Sequence, residues 1–279
     1  AAWVSKYCEG GTPLYSLDPV DDATYFDDLE ATYRVKCHRA YKGYVGNITE
    51  TCDPDNPLQL ITDVQVEPNR VSDLVLLKQA LAGLQQRTDL EKLVTDGGYI
   101  SPGVDIQLMK SGIEQITTGL TGTLPNHQDG KKALSDFEME LDPEGNVTHA
   151  TCPVGQAAVV HMSSSQKSFK LDFDPNICLT CPLFLDRQCP IQTNKKNTLC
   201  SLTVPKERAI SAQRRRRFER CKEEARALRP AVEATIFQVK HALMHGKVRV
   251  RGLFRTTCVI LCSVLAVNMR RIYRYECTT

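Results

Sequence analysis

The chain has 279 residues, of which 42% are hydrophobic and 24% are charged, and its net charge is +2. This length can bury one good core and carry a smaller module, as expected of a globular protein with an insertion. No secretory or transit segment is visible at the N-terminus. The longest apolar run, residues 258–267, is about half of what a bilayer span needs. The composition therefore argues against a membrane protein, and the apolar run predicts a packed core helix.

The first half of the chain contains a strand pattern followed by a helix pattern. Apolar residues alternate over residues 60–69, which predicts a strand. Ser72 or Asp73 can cap the helix that follows. The apolar residues that predict this helix are Leu74, Leu77, Leu81 and Leu84.

A second short apolar strand ends on an aspartate. Residues 93–95 precede Asp96, and Gly97 and Gly98 follow it. The glycines allow the chain to turn away sharply and leave room for a substrate. An aspartate at the end of a buried strand can hold a hard cation such as Mg²⁺, which prefers oxygen ligands. Asp96 is therefore a predicted metal ligand.

The middle of the chain is rich in turns and carries clustered cysteines. Residues 112–205 contain repeated Gly, Pro and Asn positions and alternating stretches such as residues 169–173, which predict a β-rich segment. A CxxC knuckle gives two sulfurs that can bind one tetrahedral Zn²⁺. We predict a structural zinc held by Cys152, Cys178, Cys181 and Cys189, with Cys200 in reserve. Free thiols in a reducing cytosol and disulfides are the alternatives.

Positive charge is concentrated in the last quarter of the chain. Residues 205–279 hold 18 Lys and Arg against 6 Asp and Glu, whereas the remainder holds 17 against 27. A basic surface of this kind is expected to bind a phosphate backbone. The predicted DNA contacts here are Arg214, Arg215, Arg216, Arg217, Arg249 and Arg251. A solvated helix face and a nuclear-localisation signal are the alternatives for the four consecutive arginines.

One acidic residue lies on a basic helix in this quarter. Pro230 suits the first turn of a helix, and Val232, Ile236, Val239 and Leu243 recur at helical spacing as its buried stripe. Glu233 and Lys240 lie on an adjoining face, and Arg229 is one turn before Glu233. A carboxylate between two cations suits a metal ligand that works beside phosphates. A surface helix with solvated charges is the alternative.

The segments around Asp96 and Glu233 together resemble the catalytic core of DDE-class insertion-sequence transposases, of the retroviral-integrase superfamily. In that family the second acid follows a strand and often precedes Gly and Tyr. The third acid lies in an Arg-x3-Glu-x6-Lys pattern, which Arg229, Glu233 and Lys240 match. The tyrosine that the family places three residues before this arginine is replaced by Arg226.

The resemblance implies an α/β fold with an RNase H-like mixed sheet flanked by helices. Residues 41–50 and 60–69 are similar to its second and third strands. A β-rich, cysteine-bearing insertion would separate the second and third catalytic acids. We expect residues 1–111 to form the first part of the core, residues 112–205 the insertion, and residues 206–279 the basic helical remainder.

The family requires a first acid, commonly in an Asp-Gly-Thr or Asp-Ser-Thr triplet on the opening strand. No such triplet occurs in this chain. We expect this aspartate and a DNA-binding region to lie upstream, with Asp28 and Asp63 as weaker candidates within the chain.

The resemblance implies two-metal phosphoryl transfer on double-stranded DNA, with Mg²⁺ or Mn²⁺ bound by Asp96 and Glu233. Arg229 and Lys240 would hold phosphates near the cut. The implied partners are transposon ends, target DNA and further copies of the chain. The implied location is the bacterial cytoplasm, at the nucleoid. A catalytically incomplete transposase remnant that binds DNA, and a zinc-stabilised interaction module of unrelated fold, are the alternatives.

Overall fold

The computed structural model describes residues 2–8, 28–36, 38–122, 127–196, 198–243 and 248–278. The chain is a mixed α/β protein with two compact units. Unit 1 comprises residues 1–99 and 224–279, and unit 2 comprises residues 100–223.

Strands occur in both units. Those of unit 1 are β1 (Ala2–Cys8), β2 (Thr32–Lys36), β3 (Arg39–Thr51), β4 (Ile61–Pro68) and β5 (Lys92–Thr95). Those of unit 2 are β6 (Glu114–Thr117), β7 (Glu138–Leu141), β8 (Val147–Thr151), β9 (Val159–Met162), β10 (Ser168–Phe173), β11 (Gln192–Thr193) and β12 (Cys200–Pro205).

The helices complete the two units. In chain order they are α1 (Asp73–Arg87), α2 (Pro102–Lys110), α3 (Pro175–Cys178), α4 (Pro182–Leu185), α5 (Lys206–Arg220), α6 (Lys222–Ala242) and α7 (Leu253–Thr278). Short 3-10 turns cover Gly97–Tyr99, Gln128–Gly130 and Leu134–Asp136.

The sheet of unit 1 is built around β3. This strand pairs antiparallel with β2 and β4, and antiparallel with β1. β1 also pairs with β5 in parallel, with Ala2 opposite Leu93. The spatial order within unit 1 is therefore β4, β3, β1, β5. The strands expected over residues 41–50 and 60–69 are confirmed as β3 and β4.

Helices pack on this sheet through apolar faces. The helix predicted after Ser72 is confirmed as α1, with Leu77, Leu81 and Leu84 buried. Ser72 is its N-cap residue, although its side chain makes no capping hydrogen bond. A cluster of apolar side chains joins β3 and β4 to α6 and α7. Its buried members are Ile48, Ile61, Val66, Val239, Leu243, Val248, Ile260, Val264 and Val267.

The predicted start of the Glu233 helix was wrong. Pro230 lies inside α6, which begins at Lys222. Residues 222–229 are Ala, Leu, Lys, Arg and Glu, which are strong helix formers. Ala225 is buried, which holds this first part of the helix against the protein. Pro230 donates no backbone hydrogen bond, so the helix lacks one internal bond at this point.

The apolar stripe predicted on α6 is present in part. Val239 and Leu243 are buried, and Ile236 is half-buried against the same cluster. The side chain of Val232 lies outside the described residues.

Helix α7 has one buried and one exposed apolar face. Ile260, Val264 and Val267 pack into the core, whereas Phe254 is 79% exposed and Leu265 is 59% exposed. By length and composition alone, α7 is long and apolar enough to cross a membrane. The core helix expected around residues 258–267 is thus longer than predicted, and it packs along one side only.

Unit 2 consists of antiparallel sheets and short helices. One sheet has the order β11, β12, β10, β9, and β7 pairs with β8. Phe169, Leu171 and Phe173 are buried on alternate positions of β10, as their spacing predicts. Helix α5 contacts α2, β6, β7 and β12. Unit 2 as a whole comprises residues 100–223, and the expected insertion over residues 112–205 lies within it and stays a prediction.

Candidate functional site

Asp96 lies at the end of a buried strand, as its sequence predicts. Leu93, Val94 and Thr95 of β5 are fully buried, and Asp96 is exposed. The backbone N–H of Gly98 donates to Asp96 Oδ1 over 2.7 Å. This bond orients the carboxylate at the strand end, and the backbone N–H of Tyr99, which donates to the Asp96 carbonyl over 3.3 Å, closes the 3-10 turn Gly97–Tyr99.

Tyr99 anchors this turn in the core of unit 1. Its side chain is fully buried, and its hydroxyl donates to Asn47 Oδ1 on β3 over 2.6 Å. Asn47 Nδ2 donates to Gln65 Oε1 on β4 over 2.8 Å, and Gln65 Nε2 donates to the carbonyl of Leu76 on α1 over 3.0 Å. This chain of buried and partly buried hydrogen bonds links β3, β4 and α1 to the segment that carries Asp96. A connected network of this kind favours one position of the turn.

Gly98 lies between two carboxylates. A β-carbon at this position would be 2.7 Å from Asp73 Oδ2 and 3.0 Å from Asp96 Oδ1. Asp73, in the first turn of α1, is buried and pairs with Arg34 over 3.3 Å. Only glycine allows both oxygens this close. From the sequence, Asp73 was expected only as a candidate helix cap. No local pattern predicts that it lies near Asp96, because the two residues meet only through tertiary folding.

Glu233 lies on the outer side of α6. Its carboxylate Oε1 accepts from Arg229 Nε over 2.9 Å, and the two side chains are 64% and 63% exposed. The predicted one-turn spacing of Arg229 and Glu233 is thus realised as a direct ion pair. Lys240 is half-buried on the same helix. The helix backbone and the contact with Arg229 position the Glu233 side chain. Among the described residues, no hydrogen bond from a buried side chain to its carboxylate is seen.

The backbone of α6 is fixed by a buried polar cluster. Thr235 Oγ1 donates to Glu50 Oε2 on β3 over 2.7 Å, and Arg271 of α7 donates to the same oxygen over 3.0 Å. Arg271 also donates to the side chain of Gln238. Glu50 is 5% exposed. Sequence reasoning missed this cluster, because β3 mixes polar and apolar residues and does not mark Glu50 as buried.

The two candidates for a first acid both have protein partners. Asp28 accepts from the Tyr44 hydroxyl over 2.8 Å and from the backbone N–H of Gly252 over 2.9 Å. Burial raises the pKa of Asp28, but the hydrogen bonds from Gly252 and Tyr44 outweigh it and lower the pKa below its usual value. Asp63 pairs with Arg87, and burial raises its pKa despite that cation. Strand β1, which lies between β3 and β5, contains no Asp or Glu.

The four consecutive arginines of α5 differ in accessibility. Arg214 is 8% exposed, and its Nε donates to Asp105 Oδ2 over 2.9 Å. Arg217 lies 3.6 Å from the other oxygen of Asp105, and Arg216 pairs with Glu138. Burial raises the pKa of Asp105 even with both arginines beside it. Arg214 is therefore committed to the interior of unit 2, whereas Arg216, Arg249 and Arg251 are exposed.

The four cysteines predicted as zinc ligands line one cavity in unit 2. Cys152 follows β8, Cys178 ends α3, Cys181 precedes α4, and Cys189 follows it. All four are free thiols. Burial raises the pKa of Cys178 to about 12, with further contributions from Cys200, Cys189 and Cys152. Cys200 is fully buried in β12 and does not line this cavity.

The described residues contain no ready-made group of three His, Cys, Asp or Glu side chains that could hold a metal ion. This applies both to the acids of unit 1 and to the cysteines of unit 2. The structure therefore brings together Asp96 with Asp73, and Glu233 with Arg229. The four cysteines share a cavity without being closed around a common point.

Comparison with known proteins finds a similarity in the second half of the chain. Residues 151–273 match the family model described as "Transposase DDE domain". No curated protein and no solved structure matches the chain. The matched range includes the cysteines and Glu233 but not Asp96. Residues 151–273 are therefore similar to the transposase DDE domain family, which confirms the resemblance to DDE-class transposases.

Proposed function

We propose that the protein is a DNA transposase that cuts transposon ends and joins them to target DNA by metal-dependent phosphoryl transfer. The observation that carries this proposal is the family match over residues 151–273, which contains the Arg229–Glu233 pair. Asp96 and its glycine turn, also in unit 1, would complete the pair of acids. DNA is the partner that this family implies.

The strand arrangement of unit 1 supports an RNase H-like core. The order β4, β3, β1, β5, with antiparallel pairs followed by a parallel pair, places Asp96 directly after the parallel strand. Helices α6 and α7 pack against β3 and β4 through one apolar cluster. In this interpretation, much of unit 2 is an insertion between the second and third acids.

The side chains present fit a hard divalent cation. Asp96 and Glu233 are exposed carboxylates, and the glycine at position 98 leaves the space that a β-carbon would fill beside Asp96 and Asp73. When bound, Mg²⁺ or Mn²⁺ would activate the attacking water or 3′-hydroxyl and stabilise the leaving oxygen. Asp96 and Glu233 would supply oxygen ligands, for which both must be ionised.

The basic side chains would position the DNA. Because Glu233 takes the Nε–H of Arg229, the terminal amino groups of that guanidinium can donate to a phosphate. Lys240, Arg215, Arg216, Arg217, Arg249 and Arg251 would add attraction to the DNA backbone that falls with salt. Arg214 is left out of this set because Asp105 holds it in the core of unit 2. We further propose that several copies assemble on DNA at the nucleoid in the cytoplasm.

A second candidate is a transposase remnant that binds DNA without cutting it. It is favoured by the absence of an acid from β1 and by the hydrogen bonds that already occupy Asp28 and Asp63. An interaction module of unrelated fold is not retained, because residues 151–273 match the transposase family.

A cleavage experiment separates these candidates. The protein is incubated with a plasmid that carries the DNA flanking its own gene, in Mg²⁺, in Mn²⁺ and in EDTA. The transposase proposal predicts breaks at the ends of the element in either metal and none in EDTA. Salt-dependent binding to the same DNA without breaks in either metal would overturn it and favour the remnant.

A further inference from the structure

The cysteine cavity of unit 2 brings together thiols from separate parts of the chain. Cys152 is contributed by the turn after β8, whereas Cys178, Cys181 and Cys189 belong to the segment between β10 and β12. Folding therefore places the sulfurs of an isolated cysteine and of a CxxC knuckle around one cavity. Gln156 and apolar side chains, including Val154, Leu183 and Phe184, line the rest of it.

The cavity has the size and chemistry of a small cation site. Its volume is about 10 Å³, which is enough for about one water-sized particle. Cys152 is 6% exposed and Cys178 is 4% exposed. The Cys178 thiol donates to Gln156 Oε1 over 3.5 Å, a weak contact for a sulfur donor. Buried thiols are inert as thiols but are strong ligands once they are deprotonated.

The segment that carries three of these cysteines has little regular structure of its own. Between β10 and β12 it forms the four-residue helices α3 and α4 and the two-residue strand β11. Cys178 belongs to the buried core of unit 2, whereas Phe184 and Cys189 are only partly buried where they pack against that core. A segment of this kind commonly requires a cross-link to hold its conformation.

We propose that Cys152, Cys178, Cys181 and Cys189 bind one structural Zn²⁺ ion that fixes the segment between β10 and β12 to the turn after β8. The thiols rotate toward the cavity as the ion enters, because they are not yet closed around a common point. Four thiol protons pass to solvent and four sulfur–zinc bonds form, which leaves the site with a charge of −2 and involves no oxidation. Four thiolates close the coordination shell, so the site is structural and leaves no open position for catalysis.

The lining of the cavity favours Cys152, Cys178, Cys181 and Cys189 over Cys200, although the Cys200 thiol contacts that of Cys178. Cys200 is fully buried in β12 among the apolar residues of the core, and it does not line the cavity. It is therefore a matched control: Cys200→Ala removes a nearby buried thiol without removing a ligand, and Cys181→Ser removes a half-buried ligand. Cys258→Ser, at an exposed position of α7 in unit 1, is a second control.

The test measures metal directly and does not depend on DNA cleavage. The full chain is purified under reducing conditions, its zinc is measured by mass spectrometry, and the metal is exchanged for Co²⁺. We expect about one zinc per chain and the visible absorption bands of tetrahedral cobalt thiolate. Cys181→Ser should lose the zinc and the bands and should melt at lower temperature, whereas Cys200→Ala and Cys258→Ser should keep both metal signals.

Two results would overturn the proposal. One is a wild-type chain that stays folded yet shows neither zinc nor the cobalt thiolate bands. The other is a disulfide among the four cysteines, detected by mass spectrometry after trapping thiols in intact cells. A chain that carries zinc but never cuts DNA would leave this inference in place and remove only the proposed transposase activity.

Discussion

The two acids proposed for catalysis are held in different ways. Asp96 follows a fully buried strand, accepts a hydrogen bond from Gly98, and precedes a tyrosine that is fixed in the core. Glu233 is 64% exposed and contacts Arg229 on the same helix. One acid is thus positioned by the interior, and the other by a helix whose opposite face is anchored. The difference predicts that distant core changes will affect Asp96 sharply, and that Glu233 will respond mainly to changes that move α6 or alter nearby charge.

The largest effect is expected from filling the space beside Asp96. In Gly98→Ala the new β-carbon would lie 2.7 Å from Asp73 Oδ2 and 3.0 Å from Asp96 Oδ1, so the carboxylates must move apart. A misplacement of about 1 Å can cost about a hundredfold in rate, and we expect a loss of DNA cleavage of that order. Gly119→Ala is the control, because a β-carbon there meets no atom within 4 Å. Equal cleavage rates for the two variants would show that the position of Asp96 does not matter.

The next effect is expected from loosening the support of α6. Arg271→Met leaves Glu50, which is 5% exposed, without its cation. Breaking a buried pair in this way costs about 3–5 kcal/mol, and urea denaturation should show a loss of stability of that size. Arg270→Met changes the exposed neighbour and serves as the control. If both variants unfolded at the same urea concentration, the Glu50 cluster would not anchor α6.

A smaller effect is expected from the anchor of the Asp96 turn. Tyr99→Phe removes the hydroxyl that donates to Asn47 Oδ1 over 2.6 Å and leaves that oxygen buried without this donor. The expected cost is about 1–3 kcal/mol in the free energy of unfolding. Tyr273→Phe, at a position that is 68% exposed, should leave stability unchanged. The prediction fails if Tyr99→Phe is as stable as the wild type.

The smallest effect on stability is expected from breaking the ion pair between Arg229 and Glu233. Arg229→Ala breaks an exposed one-turn ion pair, which is worth about 0.3–0.5 kcal/mol. Because Arg229 is proposed to hold a phosphate, the slope of log Kd against log salt should fall by about 1. Arg226→Ala, one turn earlier on the exposed side of α6, tests whether any arginine there has the same effect. An unchanged slope for Arg229→Ala would remove its proposed contact with DNA.

The sequence predicted features that depend on local pattern. Alternation identified β4 and the buried face of β10, helical spacing identified α1, and a strand followed by glycines identified the exposed position of Asp96. The shared cavity of Cys152, Cys178, Cys181 and Cys189 was also expected, because a CxxC knuckle fixes two of the four sulfurs locally.

Contacts between distant segments could not be predicted in the same way. Arg214 is one of four consecutive arginines, a pattern that predicts a solvated or DNA-binding helix face. In the structure it pairs with Asp105, which is 109 positions away. Glu50 and Thr235 are separated by 185 positions, and Asp73 meets Asp96 only through the packing of α1 beside the Gly97–Tyr99 turn. The start of α6 was misplaced because Pro230 was given more weight than the strong helix formers that precede it.

The most direct test of the account compares Asp96→Asn and Glu233→Gln with the wild type in one assay. The rate of cleavage of a transposon-end duplex is measured in Mg²⁺, and Kd for the same duplex is measured without cleavage. Loss of an outer contact to a metal ligand costs about 10–100-fold, so loss of either ligand itself should lower the rate by more than about a hundredfold while Kd stays unchanged. Wild-type cleavage by either variant, or a weaker Kd that accounts for the whole loss, would contradict the assignment of that residue as a catalytic acid.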